Sequence, residues 1–532
     1  MNHAENSIQR LTDLNDRQKR AQMQHFGQIE KAFGIIRSLI FFLFLLVSGW
    51  IICMIIWSGT EKYSFLFPVL TAVLAGALLA GRERVRNLLL RLSGRKSVIT
   101  GAVLALAGFA GMLLIAFAVR NRIEENWDYG IVFETAAGMA ADHTPIPQLR
   151  QYYFAMYGNN TLFLRVLTGI LRLFVMVTGQ KDPYFLLDCS IVLNCVLIIL
   201  AVLACAVSIG RLRSAQQGLL AEFFLLLMSP FYLYAAFTYT DVYGLLPAVL
   251  VLFSVGNAMP MKAGFRQDLL IGLAAAAAAF GYMIKGTVII YLLTAFFVIC
   301  FSKEFSGKRL RLLAVYTGTA ILMVIALTWT NHRFLAENGI SDTYREQIEF
   351  PPAHFLMMAM NPDNVGQYDS LDVDYTQSYA GKQAKTEADL RLLKDRISQM
   401  GAAGTLEHVF VKKAKFTYGT GTAGAPNYIV RDPVKKSKTV DFLGRNRTFF
   451  EVTLLYKAML EGFILIMSLL VWFRKKEEDG LALFLKICWI GMFLFFCIWE
   501  THPRYTFLFL PVTGLLAAGY VCGDRRSFSR ST

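Results

Sequence analysis

The chain has 532 residues, of which 55% are hydrophobic, 13% aromatic and only 17% charged, and its formal net charge is +15. This composition excludes an ordinary soluble domain, in which about 25% of residues are charged. The basic residues stand in short clusters between apolar runs, as they do in cytoplasmic loops of membrane proteins. The positive charge therefore does not indicate a nucleic acid as a partner.

Apolar runs long enough to cross a bilayer recur along the chain, since a crossing helix needs about 20 mainly apolar residues. The pattern predicts an all-α polytopic membrane protein with about twelve transmembrane helices. The predicted helices are 37–57, 64–81, 98–119, 183–208, 219–237, 242–259, 267–283, 286–302, 310–330, 450–473, 480–499 and 504–522. The polar N-terminal segment lacks the form of a cleaved signal peptide, so we expect the first helix to stay as an anchor.

Short connections rich in Lys and Arg set the orientation, because such connections stay in the cytoplasm. They all fall on one side if segment 161–179 does not cross the membrane: 82–97, 211–214, 262–267, 302–311, 474–476 and the C-terminal tail. Arg165 and Arg172 lie seven residues apart on one helical face. We interpret 161–179 as an amphipathic helix in the outer interface. Both termini of this multi-pass cell-membrane protein are then cytoplasmic.

These features divide the chain into five parts. They are a cytoplasmic N-terminal segment (1–36), an extra transmembrane hairpin (37–81), a transmembrane catalytic module (98–330) with a first outer loop (120–182), a large extracytoplasmic loop (331–449), and the C-terminal transmembrane helices with the tail (450–532). The second loop is too long for a mere connector, which suggests a function or a small subdomain.

Two stretches of the second outer loop carry a readable pattern. Segment 385–400 has helical spacing that places Leu390, Leu393 and Ile397 on one face. The segment GTGTAG (419–424) is glycine-rich, but it matches no phosphate-binding spacing and is a weak motif.

Ionisable residues gather at the outer ends of the predicted helices. They are Asp128 after the third helix, Asp241 between the fifth and sixth, Lys285 between the seventh and eighth, and Glu500, His502 and Arg504 between the last two. Ionisable groups at this level are costly and often functional. A pair of cations can bind phosphate and stabilise charge as it departs, and a carboxylate can deprotonate an attacking hydroxyl.

Each of these residues also has an ordinary structural explanation. Asp128 and Asp241 could cap helices, since Asp is a preferred N-cap residue. Lys285 could extend toward headgroups, and Arg504 could anchor to lipid phosphate. His502 is more often a hydrogen-bonded histidine than a metal ligand. The Asn pair at 159–160 could form a turn before the interfacial helix.

Five short motifs follow one another along the chain: NWDYGIVFETAAGMA (126–140), YYFAMYGNN (152–160), YTD (239–241), YMIKGT (282–287) and HPRY (502–505). Their order resembles that of the GT-C superfamily of membrane glycosyltransferases. This superfamily includes the protein O-mannosyltransferases, the lipid A aminoarabinose transferases and many bacterial cell-envelope transferases. YGNN resembles the Tyr-Pro-Asn-Asn sequence of envelope members, with Gly158 in place of Pro, and THPRY resembles their late PRY signature. The family also places an amphipathic helix where 161–179 lies.

The resemblance implies a role for each motif. Asp128 would be the catalytic base, Arg504 would bind the lipid phosphate, and Lys285 would be a second phosphate ligand. Asp241 would position the donor or the acceptor. The other substrate-binding candidates in these motifs are Glu134, Tyr153, Asn159, Asn160, His502 and Tyr505.

The function implied is that of an inverting glycosyltransferase on the outer face of the membrane. It would move a sugar from a polyprenyl-phosphate carrier to a cell-envelope glycan or teichoic-acid-like acceptor, with membrane lipids as further partners. Two features depart from the family pattern. The hairpin 37–81 precedes the acidic loop, and Tyr129 follows Asp128 where the protein mannosyltransferases have a paired Asp-Glu. The second departure favours a glycan over a protein acceptor.

No cluster of metal ligands can be read, so no cofactor is predicted, and a divalent metal such as oligosaccharyltransferase members use is not excluded. The alternative function is that of a polytopic transporter or lipid-linked sugar flippase without transferase activity. Such proteins place ionisable groups near the membrane midplane and often have repeated halves. The predicted helices are poor in mid-depth charge and show no paired halves, which favours the transferase. A non-catalytic scaffold for envelope assembly is a third option.

Overall fold

The computed structural model describes residues 2–124, 127–302, 306–474 and 479–522. Over these ranges the chain forms helices joined by short turns, so the all-α polytopic architecture expected from the sequence is confirmed. A bilayer offers no water to unpaired backbone groups, and a long apolar sequence therefore satisfies them within helices. The basic tail after residue 522 lies outside the described residues.

The described residues up to Glu337 form thirteen α-helices. They are α1 (Asn2–Lys62), α2 (Phe67–Leu90), α3 (Gly94–Ala118), α4 (Asp128–Asp142), α5 (Gln148–Met156), α6 (Thr161–Thr178), α7 (Pro183–Leu212), α8 (Ala215–Leu226), α9 (Ser229–Tyr234), α10 (Thr240–Ala258), α11 (Phe265–Ile284), α12 (Ile289–Cys300) and α13 (Ser306–Glu337). Helix α1 joins the polar N-terminal segment and the first expected crossing helix in one continuous element.

The remaining helices form a segment of short helices, which we call the outer segment after the side of the membrane expected for it, and the C-terminal part of the bundle. The outer segment contains α14 (Asp342–Ile348), α15 (Pro352–Ala359), α16 (Ser370–Gln377), α17 (Lys382–Leu406), a π-helical turn (Glu407–Lys413), α18 (Ala414–Tyr418), α19 (Pro426–Ile429) and α20 (Lys438–Arg445). The bundle is completed by α21 (Arg447–Phe473), α22 (Gly480–Ile498), a 3-10 helix (Pro503–Phe509) and α23 (Leu510–Cys522).

Among the described helices, ten are long and apolar enough to cross a membrane, where twelve were expected. Nine of them coincide with expected helices, and the tenth covers Gly158–Thr178. The expected helix 219–237 breaks into α8 and α9, since Pro230 suits a new helix start and lacks an N–H for a continuous one. Helix α12 has only 12 residues. Helix α2 covers the expected 64–81 helix from Phe67 onward but runs on through the charged stretch 82–84.

Helix α6, which qualifies as a span by length and composition, lies along one end of the bundle. Near its start, the Phe163 ring packs 5.8 Å from Tyr239 beside the start of α10. Just past its first turn, Arg165 donates to Asn331 near the end of α13 at 2.6 Å. Its own end leads through residues 179–182 directly into α7. These contacts lie at one end of the bundle, and they support the interfacial position, which stays a prediction.

The extra hairpin is an integral part of the bundle. Helices α1 and α2 both pack against α21, and α1 also contacts α18 and α22. Through the contact of α1 with α18, the hairpin touches the outer segment. The expected domain boundaries are not tested by this packing and stay predictions.

The expected helix 385–400 forms as part of α17, and the face that carries Leu390, Leu393 and Ile397 is not its buried face. Leu390 is 47% and Ile397 39% exposed, whereas Lys385 and Asp389 are fully buried. The buried face is polar because Lys385 donates to the Ile348 carbonyl at 2.8 Å and Asp389 accepts from Thr376 at 2.7 Å.

The expectation that the spans are poor in mid-depth charge was wrong for α21. Lys457 donates to the carbonyls of Tyr418 and Thr420 at 2.7 and 3.1 Å. One turn further, the buried Glu461 accepts from Thr513 at 3.2 Å. Both charged side chains are thus paired inside the bundle with groups that the sequence pattern does not reveal.

Candidate functional site

Three of the expected site residues form a buried ionic triad at the end of the bundle that carries α6. Asp241 lies in the first turn of α10, Lys285 follows α11, and Arg504 lies in the 3-10 helix before α23. The Lys285 Nζ atom is 2.9 Å from Asp241 Oδ1, and Arg504 Nε is 3.4 Å from Asp241 Oδ2. Asp241 is 2% exposed, Lys285 9% and Arg504 8%. One carboxylate therefore stands between two cations that are held away from bulk water.

The local sequence explains how the triad is assembled. Tyr239 is extended and caps α10, so Asp241 lies inside the helix and is not its N-cap. Lys285 has extended backbone angles that end α11 and turn its side chain inward. Gly244 permits this approach, because a Cβ at that position would lie 3.1 Å from the Lys285 Cβ. Lys285 thus pairs inside the protein and does not reach toward headgroups.

Several polar atoms of the triad retain unused hydrogen-bonding capacity. Among the described residues, neither carboxylate oxygen of Asp241 nor Nε of Arg504 has a well-aligned hydrogen bond, although the charges are close. Buried polar groups are normally hydrogen-bonded, and exceptions call for an explanation. A polar ligand that reaches the triad would find donors and acceptors available.

Four aromatic rings surround Arg504, and we call Trp127, Tyr239, Tyr428 and Tyr505 the aromatic cradle. The guanidinium carbon lies 5.0 Å from the Trp127 ring centre, 5.4 Å from Tyr239 and Tyr428, and 5.7 Å from Tyr505. Cations are attracted to ring faces within about 6 Å. The cradle holds Arg504 inside the site and not against lipid.

Asp128 lies at the rim of the same cluster. It is half-buried and is the first residue of α4, where the partial positive charge of the helix N-terminus favours a carboxylate. Its Oδ2 accepts a hydrogen bond from the Tyr239 hydroxyl at 3.2 Å. The Tyr239 ring lies within 5.9 Å of the Lys285 ammonium and 5.4 Å of Arg504. One tyrosine therefore connects the carboxylate at the rim with both cations.

The segment before Arg504 adds two buried titratable groups. Glu500 accepts from the Tyr505 hydroxyl at 2.9 Å, and burial raises its pKa while Arg504 and Lys285 oppose the rise. Burial and the neighbouring cations hold the pKa of His502 well below its usual value, so its ring is neutral. Its Nδ1 accepts from the Arg504 backbone N–H at 3.1 Å, which leaves the Nε2 proton for Tyr428 at 2.8 Å.

Burial also lowers the pKa of Lys285, and the charge of Asp241 opposes that change. The ammonium depends on this carboxylate, because burial alone disfavours the charged form.

The remaining predicted residues divide into two groups. Asn160 donates to the Tyr153 hydroxyl at 2.7 Å, and the pKa of Tyr153 is raised by burial and by the charge of Asp128, which places this pair beside the rim. Asn159 is exposed, and Glu134 lies further along α4 in an ion pair with Arg150 at 2.7 Å. The structure does not bring these last two side chains into the cluster.

Sequence reasoning missed most of the aromatic cradle and gave Glu500 no role. Trp127 directly precedes Asp128 and Tyr239 lies two residues before Asp241, so their closeness in sequence to the expected site residues could have identified them. Tyr428 comes from the outer segment, and no local signal connects it with Arg504.

Within the described ranges, no three His, Cys, Asp or Glu side chains are grouped as the ligands of a metal ion would be. The expectation about cofactors stays a prediction. The chemistry that these residues can perform by themselves is to hold an anionic group between Lys285 and Arg504 and to accept a proton at Asp128.

The fold and the position of this site define an all-helical, multi-pass integral membrane protein with a polar cluster at one end of its bundle. The chain belongs to the family described as "Conserved hypothetical integral membrane protein", whose model matches residues 25–523. A search of curated proteins finds no match.

Among solved structures, the chain is similar to an archaeal oligosaccharyltransferase, AglB from Archaeoglobus fulgidus, in complex with an inhibitory peptide and a dolichol-phosphate. The identity is 11% and the TM-score 0.41, and the match covers 78% of this chain and 50% of that chain. The match thus extends over about half of that protein's length.

Proposed function

We propose that the protein is an inverting glycosyltransferase of GT-C type at the outer face of the cell membrane. It transfers a sugar from a polyprenyl-phosphate carrier to a cell-envelope glycan or teichoic-acid-like acceptor. The observation that carries this proposal is the juxtaposition of the Asp241–Lys285–Arg504 triad with the carboxylate of Asp128 at the rim.

The two cations supply the donor side of the reaction. A sugar phosphodiester carries one negative charge before transfer, and the departing polyprenyl phosphate carries two. Lys285 and Arg504 stabilise the departing group more than the bound donor, which is the requirement for catalysis. Asp241 fixes both cations and balances part of their charge while the site is empty. Phosphate departs as a weak base, so no acid catalyst is needed, in contrast to glycoside hydrolysis.

Asp128 supplies the acceptor side. Its carboxylate takes the proton of the acceptor hydroxyl, whose oxygen forms a bond to the anomeric carbon. The bond from that carbon to the phosphate oxygen breaks, and its electron pair leaves with the phosphate. Attack from the face opposite the phosphate inverts the configuration. The hydrogen bond from Tyr239 orients Asp128 for this step.

Two tyrosines extend the site beyond Asp128. The charge of Asp128 contributes, after burial, to the raised pKa values of Tyr157 and Tyr368, and the Tyr157 ring packs 5.1 Å from that of Tyr153. Tyr368 is 58% exposed and belongs to the outer segment. Aromatic rings of this kind present flat surfaces to sugars, and we assign this open side of the site to the acceptor.

A transporter or flippase is the second candidate, because Lys457 and the buried Glu461 lie inside α21. Ionisable groups inside spans commonly mark transport paths. A labelled polyprenyl-phosphate analogue that cannot transfer its sugar separates the two functions in vesicles. A flippase moves the analogue across the membrane without an acceptor, whereas a transferase only binds it.

The transferase is tested with Asp128→Asn, and Asp142→Asn is the matched control. Asp142 ends the same helix, and its 3.2 Å pair with Lys181 is exposed. Sugar transfer from a synthetic polyprenyl-phosphate donor is measured with purified protein, together with mass spectrometry of the envelope polymers. We expect transfer to fall at least about 100-fold in Asp128→Asn, with normal insertion, and to stay near wild type in the control. Near-normal transfer by Asp128→Asn contradicts the assignment of the base.

A further inference from the structure

The glycine-rich stretch of the outer segment accepts hydrogen bonds from side chains of two helices of the bundle, α1 and α21. We call residues 418–428 the strap. The Gly419 carbonyl accepts from Ser58 Oγ at 3.1 Å and from Lys62 Nζ at 3.3 Å, both on α1. The carbonyls on either side, those of Tyr418 and Thr420, accept from Lys457 Nζ of α21. Three consecutive carbonyls are therefore held by side chains of two helices.

The glycines of the strap are explained by this close approach. A Cβ at Gly419 would lie 2.4 Å from Ser58 Oγ, and one at Gly421 would lie 2.2 Å from the Thr453 carbonyl carbon. Gly424 has a φ of +76°, which L side chains rarely adopt. The spacing thus reflects contact with α1 and α21, which accounts for its failure to match a phosphate-binding loop.

The other end of the strap belongs to the candidate site. The Ala423 carbonyl accepts from the Tyr234 hydroxyl at 2.8 Å. Tyr428 then packs against Trp127 with ring centres 4.4 Å apart and the ring planes tilted by 36°, and its hydroxyl contacts His502 at 2.8 Å. Tyr428 is itself a member of the aromatic cradle around Arg504. The strap therefore runs continuously from the Lys457 ammonium to the cradle.

We propose that the strap positions the aromatic cradle and that Lys457 is a positioning residue that acts on Arg504 through it. The ammonium makes two charge-assisted hydrogen bonds to buried carbonyls, and such bonds are stronger than neutral ones. The extra hairpin has the same role from the other side, since Ser58 and Lys62 reach the strap. The expected effect of Lys457 on phosphate binding rests on the proposed function, whereas the coupling of Lys457 to the aromatic cradle through the strap does not.

Hydrogen exchange measured by mass spectrometry on Lys457→Met tests the link without a substrate. Lys486→Met is the matched control, because Lys486 is 1% exposed on α22 and packs 3.1 Å from the Phe41 ring centre, in another part of the bundle. We expect exchange to rise about tenfold in Lys457→Met, both in peptides of the strap and in those of 499–506. Ser58→Ala removes only one hydroxyl and is expected to raise exchange in the same two regions by less.

Two results overturn the proposal. In the first, exchange rises in the strap of Lys457→Met while 499–506 exchanges as in wild type, which is the signature of a purely local contact. In the second, Lys486→Met changes both regions equally. Transfer kinetics then add the functional readout: KM for the donor rises about tenfold in Lys457→Met and returns toward wild type in Lys457→Arg. Absence of transfer by the wild-type protein contradicts the proposed function and leaves the exchange test intact.

Discussion

Replacing Asp241 with Asn tests the ionic triad most directly. The amide has nearly the same shape as the carboxylate, but it removes the negative charge that lies 2.9 Å from Lys285 and 3.4 Å from Arg504. Asp241 is 2% exposed, so water cannot replace the missing charge. Removal of one member of a buried ion pair costs about 3–5 kcal/mol. We expect the lower end of this range, about 3 kcal/mol, because Lys285 can lose its proton.

The assay is thermal unfolding of the purified protein in detergent, and Asp268→Asn is the control. Asp268 pairs with Arg311 at 3.3 Å, but the two side chains are 29% and 38% exposed. Exposed pairs contribute about 0–1 kcal/mol, so the control should unfold close to wild type. The reasoning is refuted if Asp241→Asn unfolds at the temperature of Asp268→Asn.

The second half of this experiment repeats thermal unfolding with an added anionic ligand, polyprenyl phosphate. Ligands that bind the folded state stabilise it by about 2.7 kcal/mol at a concentration 100 times Kd. Polyprenyl phosphate should stabilise Asp241→Asn more than wild type, because its charge replaces the missing carboxylate between the cations. Equal stabilisation of both proteins would show that the phosphate does not reach the triad.

Two further predictions concern packing and pH. Gly421→Ala should lower the free energy of unfolding by about 1–3 kcal/mol, since its Cβ would overlap the Thr453 backbone. Gly138→Ala, in the open part of α4, should raise it by about 0.5–1 kcal/mol. A higher unfolding temperature for Gly421→Ala than for Gly138→Ala would contradict the packing. Burial raises the pKa of Glu500 above the usual 4.5, so its stabilising contribution is complete below that pH and is lost as pH rises through the raised value. As the pH is raised from about 4.5, the unfolding temperature of Glu500→Gln should therefore fall less than that of the wild type. Parallel curves of unfolding temperature against pH for the two proteins would contradict this.

Composition and hydropathy were sufficient to predict the fold class, because a bilayer leaves helices as the way to pair backbone groups in long apolar runs. They were insufficient wherever a local feature interrupts such a run. Pro230 divides the expected helix 219–237 in two, and averaged hydropathy is insensitive to one residue. The spacing of α17 places its apolar residues on one face but does not show which face is buried, because buried hydrogen bonds, which periodicity does not register, hold the polar face inward.

The candidate site was predictable to the extent that it depends on topology. Once the crossing helices are assigned an orientation, Asp128, Asp241, Lys285 and Arg504 all fall at the same end, and the structure brings them together. Proximity in sequence was a poorer guide. Glu134 follows Asp128 by six residues, which on a helix is about 9 Å along the axis and about 240° around it. The cradle needs Tyr428 from the outer segment, and such contacts are set by tertiary packing alone.

The charges inside α21 favour the transferase over the transporter once their partners are considered. A transport path needs ionisable groups that can exchange their partners as the substrate passes. Lys457 instead donates to two carbonyls of the strap, whose glycines leave no space for movement toward Thr453. Lys457, one turn from Glu461, therefore holds the strap in place, and the strap in turn positions the aromatic cradle around Arg504. On this account Lys457 and the candidate site are structurally coupled, so Lys457→Met should raise hydrogen exchange at 499–506 and weaken transfer together. In a transporter, Lys457→Met would stop movement of the analogue without a change of exchange at 499–506.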